Sequence, residues 1–238
     1  MPTELKFAIF QLVIILPFLA GSFLKNRLKN PEKTSKSLIS LNLTLMEPPI
    51  VIWSIWGLTL SAEMIFLPVS GVFLAVSGFI IGKLAVHKMR LTGTDAKTIV
   101  ISSSLANHGF TMGGFLCYLF AGEQGLALSA IFLIYFIPFT FLFIFSYANV
   151  KDRNQVFQWA FVKDLLFSFR NMPLYAVFIA IFIRLTGINR PDIYFPLDIL
   201  LILSISLYYF TLGINFKFND LHFFKKERPV RISKPPKH

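Results

Sequence analysis

The fold turns on residues 98–120, Thr98-Ile-Val-Ile-Ser-Ser-Ser-Leu-Ala-Asn107-His108-Gly109-Phe110-Thr111-Met112-Gly113-Gly114-Phe-Leu-Cys-Tyr-Leu-Phe120. The stretch contains no Asp, Glu, Lys or Arg. It matches the ~20 residues of helix needed to cross a hydrocarbon core of ~30 Å. Its centre is unlike its ends, since Asn107 to Gly114 is small and polar. An interruption at membrane depth is tolerated only against protein or a water-filled cavity. The stretch therefore reads as a spanning helix broken where it carries a site.

Working outward, six more segments have the same character, at 7–24, 38–60, 65–82, 126–150, 172–188 and 195–216. Composition agrees: 55% of the 238 residues are hydrophobic, 15% are charged and 28 are Phe. An ordinary soluble chain is roughly 25% charged. A soluble fold of this length has too little interior for so much apolar surface. Disorder requires a polar, highly charged chain and is excluded for the opposite reason. The expectation is an all-α polytopic membrane protein with seven transmembrane helices, in contact with the lipid bilayer. The first apolar run is too long for a secretory signal, and a basic stretch rather than a cleavage site follows it. Cys117 is the single cysteine, so it cannot form an intramolecular disulfide.

The net charge of +11 could suggest nucleic acid, but the position of the cations argues otherwise. Lys25, Arg27, Lys29, Lys33 and Lys36 follow the first span. Lys83, Lys88, Arg90 and Lys97 follow the third, and Lys151, Arg153, Lys163 and Arg170 the fifth. Lys217, Lys225, Lys226, Arg228, Arg231, Lys234 and Lys237 lie in the tail. Only Lys6, Arg184 and Arg190 fall on the other side. By the positive-inside rule the N-terminus is outside and the C-terminus inside, in a cell (inner or plasma) membrane. Residues 156–169 are apolar but too short to span, and read as an amphipathic helix on the inner surface.

The second span is also disturbed, by Glu47-Pro48-Pro49. Pro48 and Pro49 remove two backbone donors and break the helix. Counted from the predicted inner ends, Glu47 and His108 each lie ~15 Å deep. An ionisable group at the bilayer centre costs at least ~2.5–3.5 kcal/mol and marks a functional site by default. Glu47 and His108 are the proton-coupling candidates. The plainer readings are a neutral Glu bonded to a neighbouring helix and an interhelical His hydrogen bond. Asn107, His108, Gly109, Gly113 and Gly114 are the substrate-binding candidates, because a half-helix N-terminus beside a side-chain amide suits an anion. Gly113 and Gly114 serve equally well for close helix packing. Gln11, Asn42 and Tyr135 read as groups that join helices, and Arg184 and Asp198 as snorkelling side chains. The Phe run at Phe132, Phe136, Phe139, Phe141, Phe143 and Phe145 reads as lipid-facing bulk. No phosphate-binding loop, metal cluster or nucleophile–base pair is present, so neither an enzyme nor a metal or other cofactor is expected.

The order of these features resembles the auxin efflux carrier family of membrane transport proteins, in the superfamily that includes bile acid:sodium symporters. The resemblance rests on Lys25-Asn-Arg-Leu-Lys before a helix with Glu47-Pro48-Pro49-Ile50, and on Asn107-His108-Gly109-Phe110-Thr111-Met112-Gly113-Gly114-Phe115. The latter is similar to the family's Asn-x-Gly-Phe-x-Gly-x-Pro, with Gly114 where the family has Pro. Phe120-Ala-Gly-Glu-Gln-Gly-Leu-Ala-Leu128, Arg170-Asn171-Met172-Pro173-Leu174 and Leu212-Gly213 complete it. The resemblance implies a carrier with two inverted five-helix repeats, in which helices 1, 2, 6 and 7 form a scaffold and helices 3–5 and 8–10 a core. Residues 1–150 would be the first repeat, 151–171 a cytoplasmic linker, 172–216 two helices of the second repeat and 217–238 a basic cytoplasmic tail. It also implies a small organic anion as substrate, Asn107 as a contact to it, and a homo-oligomer or a partner that supplies three more helices. The alternatives are a seven-helix sensor or receptor and a non-transporting subunit of a larger complex. Against a receptor, no Asp-Arg-Tyr follows the third span and no Asn-Pro-x-x-Tyr lies in the seventh. No Lys is available in the last span for a retinal Schiff base.

Overall fold

The computed structural model describes residues 3–105, 110–140, 147, 168 and 171–216. Among these the chain is helical throughout, with no strand. Its helices are α1 (Thr3–Leu24), α2 (Pro31–Leu41), α3 (Glu47–Trp56), α4 (Phe66–Lys88), α5 (Gly93–Ser104), α6 (Phe115–Phe132), α7 (Phe136–Phe139), α8 (Met172–Leu185) and α9 (Leu197–Asn215). Five stretches are long and apolar enough to cross a membrane: Glu4–Arg27, Pro31–Trp56, Ala62–Lys88, Met112–Tyr135 and Leu197–Asn215. The inner-surface helix expected at 156–169 and the basic tail lie outside the described residues.

The helices wear their pattern inside out. In α4 the large side chains Phe66, Val69, Phe73, Ile80 and Leu84 are exposed, while Gly71, Ala75 and Gly82 are buried. In water that arrangement forfeits the hydrophobic drive to fold. In lipid the tails are as apolar as Leu, so small residues that let backbones approach closely carry the contact. A Cβ on Gly78 would overlap the Ser103 carbonyl, and one on Gly82 would meet the Val100 backbone at 2.9 Å. Gly71 receives the Tyr135 ring. The same logic joins α1 to α9, where Gly21 abuts the Phe210 carbonyl and Gly213 the Phe18 carbonyl. Ser22 Oγ donates to the Gly213 carbonyl at 3.2 Å beside this crossing.

Two compact units result. One gathers the described residues up to Met64, those of 110–131 and those of 171–216. It packs α1 on α9, α8 on α3 and α9 on α2. Its apolar centre is Phe10, Ile50, Phe115, Leu126, Leu197, Leu201 and Ile205. The other unit holds α4, α5 and the described residues from Phe132 to 140. Its centre is Ala75, Tyr135 and Phe139, with Phe132 and Phe136 packed against them. Phe132, Phe136 and Phe139 are therefore core rather than lipid-facing bulk, because the small residues of α4 leave room that large rings fill. Phe141, Phe143 and Phe145 lie outside the described residues.

Three boundaries differ from those predicted. The second apolar helix begins at Pro31 rather than Leu38, capped by the Asn30 side chain, which accepts from the Lys33 amide at 3.0 Å. A proline in the first helical turn needs no donor there, so the helix extends past the apolar run. It ends at Trp56, with Gly57 closing it, rather than at Leu60. The predicted fourth span is not one helix, because α5 ends at Ser104 and Leu105 has a non-helical backbone, with φ of −97° and ψ of 83°. After Phe115 the helix is bent at Gly122, whose φ of 63° and ψ of −153° are not helical. Gly125 then abuts the Cys117 carbonyl. In a straight helix residues so separated would stand ~12 Å apart, so the chain folds back on itself at Gly122.

Candidate functional site

The second helix is interrupted by a π-helical turn at Asn42–Met46. Its cause lies in the residues that follow. An α-helix would place the Pro48 and Pro49 rings against the carbonyls of Thr44 and Leu45, with no amide to bond them. The wider turn relieves that crowding, and the Glu47 amide donates to the Asn42 carbonyl five residues back. On an ordinary helix residues five apart point ~140° from each other. The i→i+5 bond brings them onto the same side. The helical stretch runs on through Pro48 and Pro49, and the wide turn just before them aligns Asn42 with Glu47.

Both side chains are buried, Asn42 at 1% and Glu47 at 3% exposure. They face α9, where the Tyr208 phenol stands beside the Glu47 carboxyl and the Asn42 amide. Ser204, a turn earlier on the same buried face, is fully buried. Two contacts fix the antiparallel register of these helices: Asn215 Nδ2 donates to Ser35 Oγ at 2.6 Å, and Trp53 stacks on Phe195 at 4.5 Å. These contacts set Tyr208 level with Asn42. The Tyr208 phenol is within hydrogen-bonding reach of both side chains, while Glu47 Oε1 and Ser204 Oγ are buried with no hydrogen-bond partner among the described residues. The two described ion pairs, Lys36–Glu32 and Arg190–Glu123, do not involve Glu47. Such groups cost ~1–3 kcal/mol each when left unsatisfied.

The second interruption lies in the stretch of 98–120. Asn107, His108 and Gly109 lie outside the described residues. Gly113 and Gly114 belong to another π-helical turn, Phe110–Gly114, from which α6 continues. That turn also packs against α9, as does Asn42–Met46. The structure therefore brings the two π turns to one helix. Single-turn π segments inside α-helices occur frequently at functional sites.

A third polar cluster caps the far end of the α3–α8 pair. The Arg190 guanidinium pairs with Glu123, lies 4.8 Å from the Trp53 ring centre and donates to the Trp53 carbonyl at 3.3 Å. Trp56 Nε1 donates to the Ile188 carbonyl at 2.8 Å, and Arg184 Nε to the Leu58 carbonyl at 2.9 Å. Arg184 thus ties α8 to the end of the second apolar helix rather than only reaching for water.

Sequence reasoning singled out Glu47 but missed Ser204 and Tyr208, and treated Asn42 as a group that merely joins helices. A usable signal was present. Ser204, Tyr208, Thr211 and Asn215 recur at helical spacing along α9, a polar stripe in an apolar helix. Among the described residues no cluster of His, Cys, Asp and Glu could hold a metal ion. The chain matches no family model, no curated protein and no solved structure.

Proposed function

We propose that this chain is a membrane permease that carries a small organic anion by moving a core set of helices against a scaffold. The observation that supports the reading most is the pair of π-helical interruptions, Asn42–Met46 and Phe110–Gly114, both packed on α9. Interrupted helices are costly in lipid, and carriers use them to bind solute near the midplane. The grouping of α1, α2, α3, α8 and α9 in one unit and of α4 and α5 in another also supports it. The resemblance to auxin efflux carriers implies a similar grouping of helices 1, 2, 6 and 7, but residues 110–131, which it would count as core, group here with those helices. In this reading the chain has seven spans with the N-terminus outside. The half-helix that starts at Phe110 directs its amide end toward the anion, and Asn107 contacts it.

Reconstitution in liposomes tests the reading. Purified protein should give saturable uptake of labelled succinate or malate, and Asn107→Ala should abolish it while leaving elution from a sizing column unchanged. Empty-liposome rates for a panel of small carboxylates, from protein that is folded and inserted, would end the proposal. Uptake that survives Asn107→Ala would remove only that residue.

A further inference from the structure

The end of α1 that leads to α2 joins an apolar stripe to a group of cations. Leu12, Leu16, Leu19 and Phe23 follow one another at helical spacing and so share one face. All four are exposed, Phe23 at 76%. Phe10 and Gly21, each two residues off that stripe and so on the opposite side, are buried. Arg27 comes one turn beyond Phe23, in the 3-10 turn Lys25–Arg27 that closes α1. The connection is tied to α9 on both sides, since Lys25 Nζ donates to the Phe216 carbonyl at 2.6 Å and Asn215 Nδ2 to Ser35 Oγ. Lys25 is thereby occupied at the C-terminal end of α9, where a cation is favoured by the helix dipole. Arg27, Lys29 and Lys33 stay exposed, and neither ion pair among the described residues involves them. Glu32, the one acid between Leu24 and Met46, is paired with Lys36.

Cations grouped without acids suit a phosphate, which the Arg fork takes in two bonds. The stripe beside them selects the kind of phosphate. A free phosphate has no use for Leu12, Leu16, Leu19 and Phe23, whereas a phospholipid carries acyl chains on the same molecule. A choline headgroup would be repelled by the same cations that attract an anionic one. A second copy of α1 could cover the stripe, but two copies in one membrane share an orientation. Their cations would then meet at the same level, and like charges so placed are costly. We infer that Arg27, Lys29 and Lys33 hold the headgroup of one anionic phospholipid whose acyl chains lie along the Leu12–Phe23 face of α1. By the positive-inside rule the lipid belongs to the inner leaflet. The site requires that α1 cross a bilayer and does not rest on the carrier reading.

The test is thermal unfolding of the full chain in neutral detergent, titrated with dioctanoyl phosphatidylglycerol, dioctanoyl phosphatidylcholine or glycerol 3-phosphate. A ligand that binds only the native state raises Tm with its concentration. Phosphatidylglycerol should raise Tm saturably and half-saturate about tenfold below phosphatidylcholine, while glycerol 3-phosphate leaves Tm unchanged. Lys29→Gln should raise the half-saturating concentration about fivefold, the equivalent of ~1 kcal/mol for one cation near a membrane surface. Arg27→Gln, Lys29→Gln and Lys33→Gln together should abolish the preference. Lys83→Gln with Lys88→Gln, at the end of α4, should leave it intact. Native mass spectrometry of the unmodified protein in an equal mixture of the two lipids gives an independent reading should a variant fail to fold. One phosphatidylglycerol should be retained per chain. Equal half-saturation by the two lipids overturns the site, as does a preference that survives the triple substitution or is lost with Lys83 and Lys88. A Tm that rises equally with glycerol 3-phosphate overturns it in favour of free phosphate. A dimer that retains no lipid overturns it in favour of a second copy. None of these readings involves flux, so failure of the site and failure of the carrier proposal are separable.

Discussion

Glu47 and Glu123 are both acids held in an apolar, helical chain, and their surroundings are opposite. Glu123 follows the bend at Gly122 and is about a third exposed. It pairs with Arg190, which in turn rests on the Trp53 ring and bonds the Trp53 carbonyl. Its charge is fully answered, by the side chains that also tie neighbouring helices together. Glu47 is buried, and among the described residues it meets the neutral Tyr208 phenol rather than a cation. The difference teaches which acid holds the fold and which one the fold holds. Evolved sites are where a protein gives up stability for function. On that argument Arg190–Glu123–Trp53 is a clamp, whereas nothing about the Glu47 carboxyl clamps one helix to another by charge.

Substitutions can break this contrast. The largest effect is expected from Arg190→Ala, which removes a charge-assisted bond and a cation–π contact together. A loss of ~2–3 kcal/mol should appear as a lower midpoint in denaturant, after allowance for partial exposure. Next comes Gly57→Val, because a Cβ at Gly57 would lie 2.8 Å from the Arg190 guanidinium carbon. Pushing that group aside should cost ~1–2 kcal/mol by the same assay. Glu123→Gln keeps the shape and loses the charge, and should cost ~1 kcal/mol. A double-mutant cycle with Arg190→Ala would show that the two effects are not additive. The smallest change, and the one that decides the comparison, is Glu47→Gln. It should leave stability within ~0.5 kcal/mol of the parent, or raise it, since a carboxyl without a counter-charge is replaced by a neutral isostere. A loss as large as that of Arg190→Ala would make Glu47 structural and erase the distinction.

The π turn offers a sharper variant of the same test. Pro48→Ala with Pro49→Ala restores two amides and lets an α-helix run through Asn42–Met46. Asn42 and Glu47 would then point ~140° apart. Stability should hold or rise, read as an unchanged or higher midpoint in denaturant.

Much of this was legible in the chain itself. Apolar runs of ~20 residues admit few alternatives to a helix in lipid, because a backbone without water must bond to itself. The disturbance at Glu47-Pro48-Pro49 was equally plain, since proline lacks a donor wherever it sits. The extent of α2 was not, because Asn30 caps it through a side-chain bond outside the apolar pattern. The roles of Phe132, Phe136 and Phe139 were misread for a related reason: a ring is equally at ease in lipid and in a core, and only its neighbours decide.

Composition and periodicity thus determined the helical class, the bilayer as solvent, the places where helices break and the acid set at one of them. Only the tertiary structure decided which helices meet. Contacts in lipid depend on small residues such as Gly21, Gly78 and Gly213, and no hydropathy pattern marks them as partners of Phe210, Ser103 and Phe18. It also decided that Asn42 and Tyr208 gather around Glu47. Their convergence comes from a π turn and from an antiparallel register between segments far apart in the chain, and neither is encoded in the local identity of those residues.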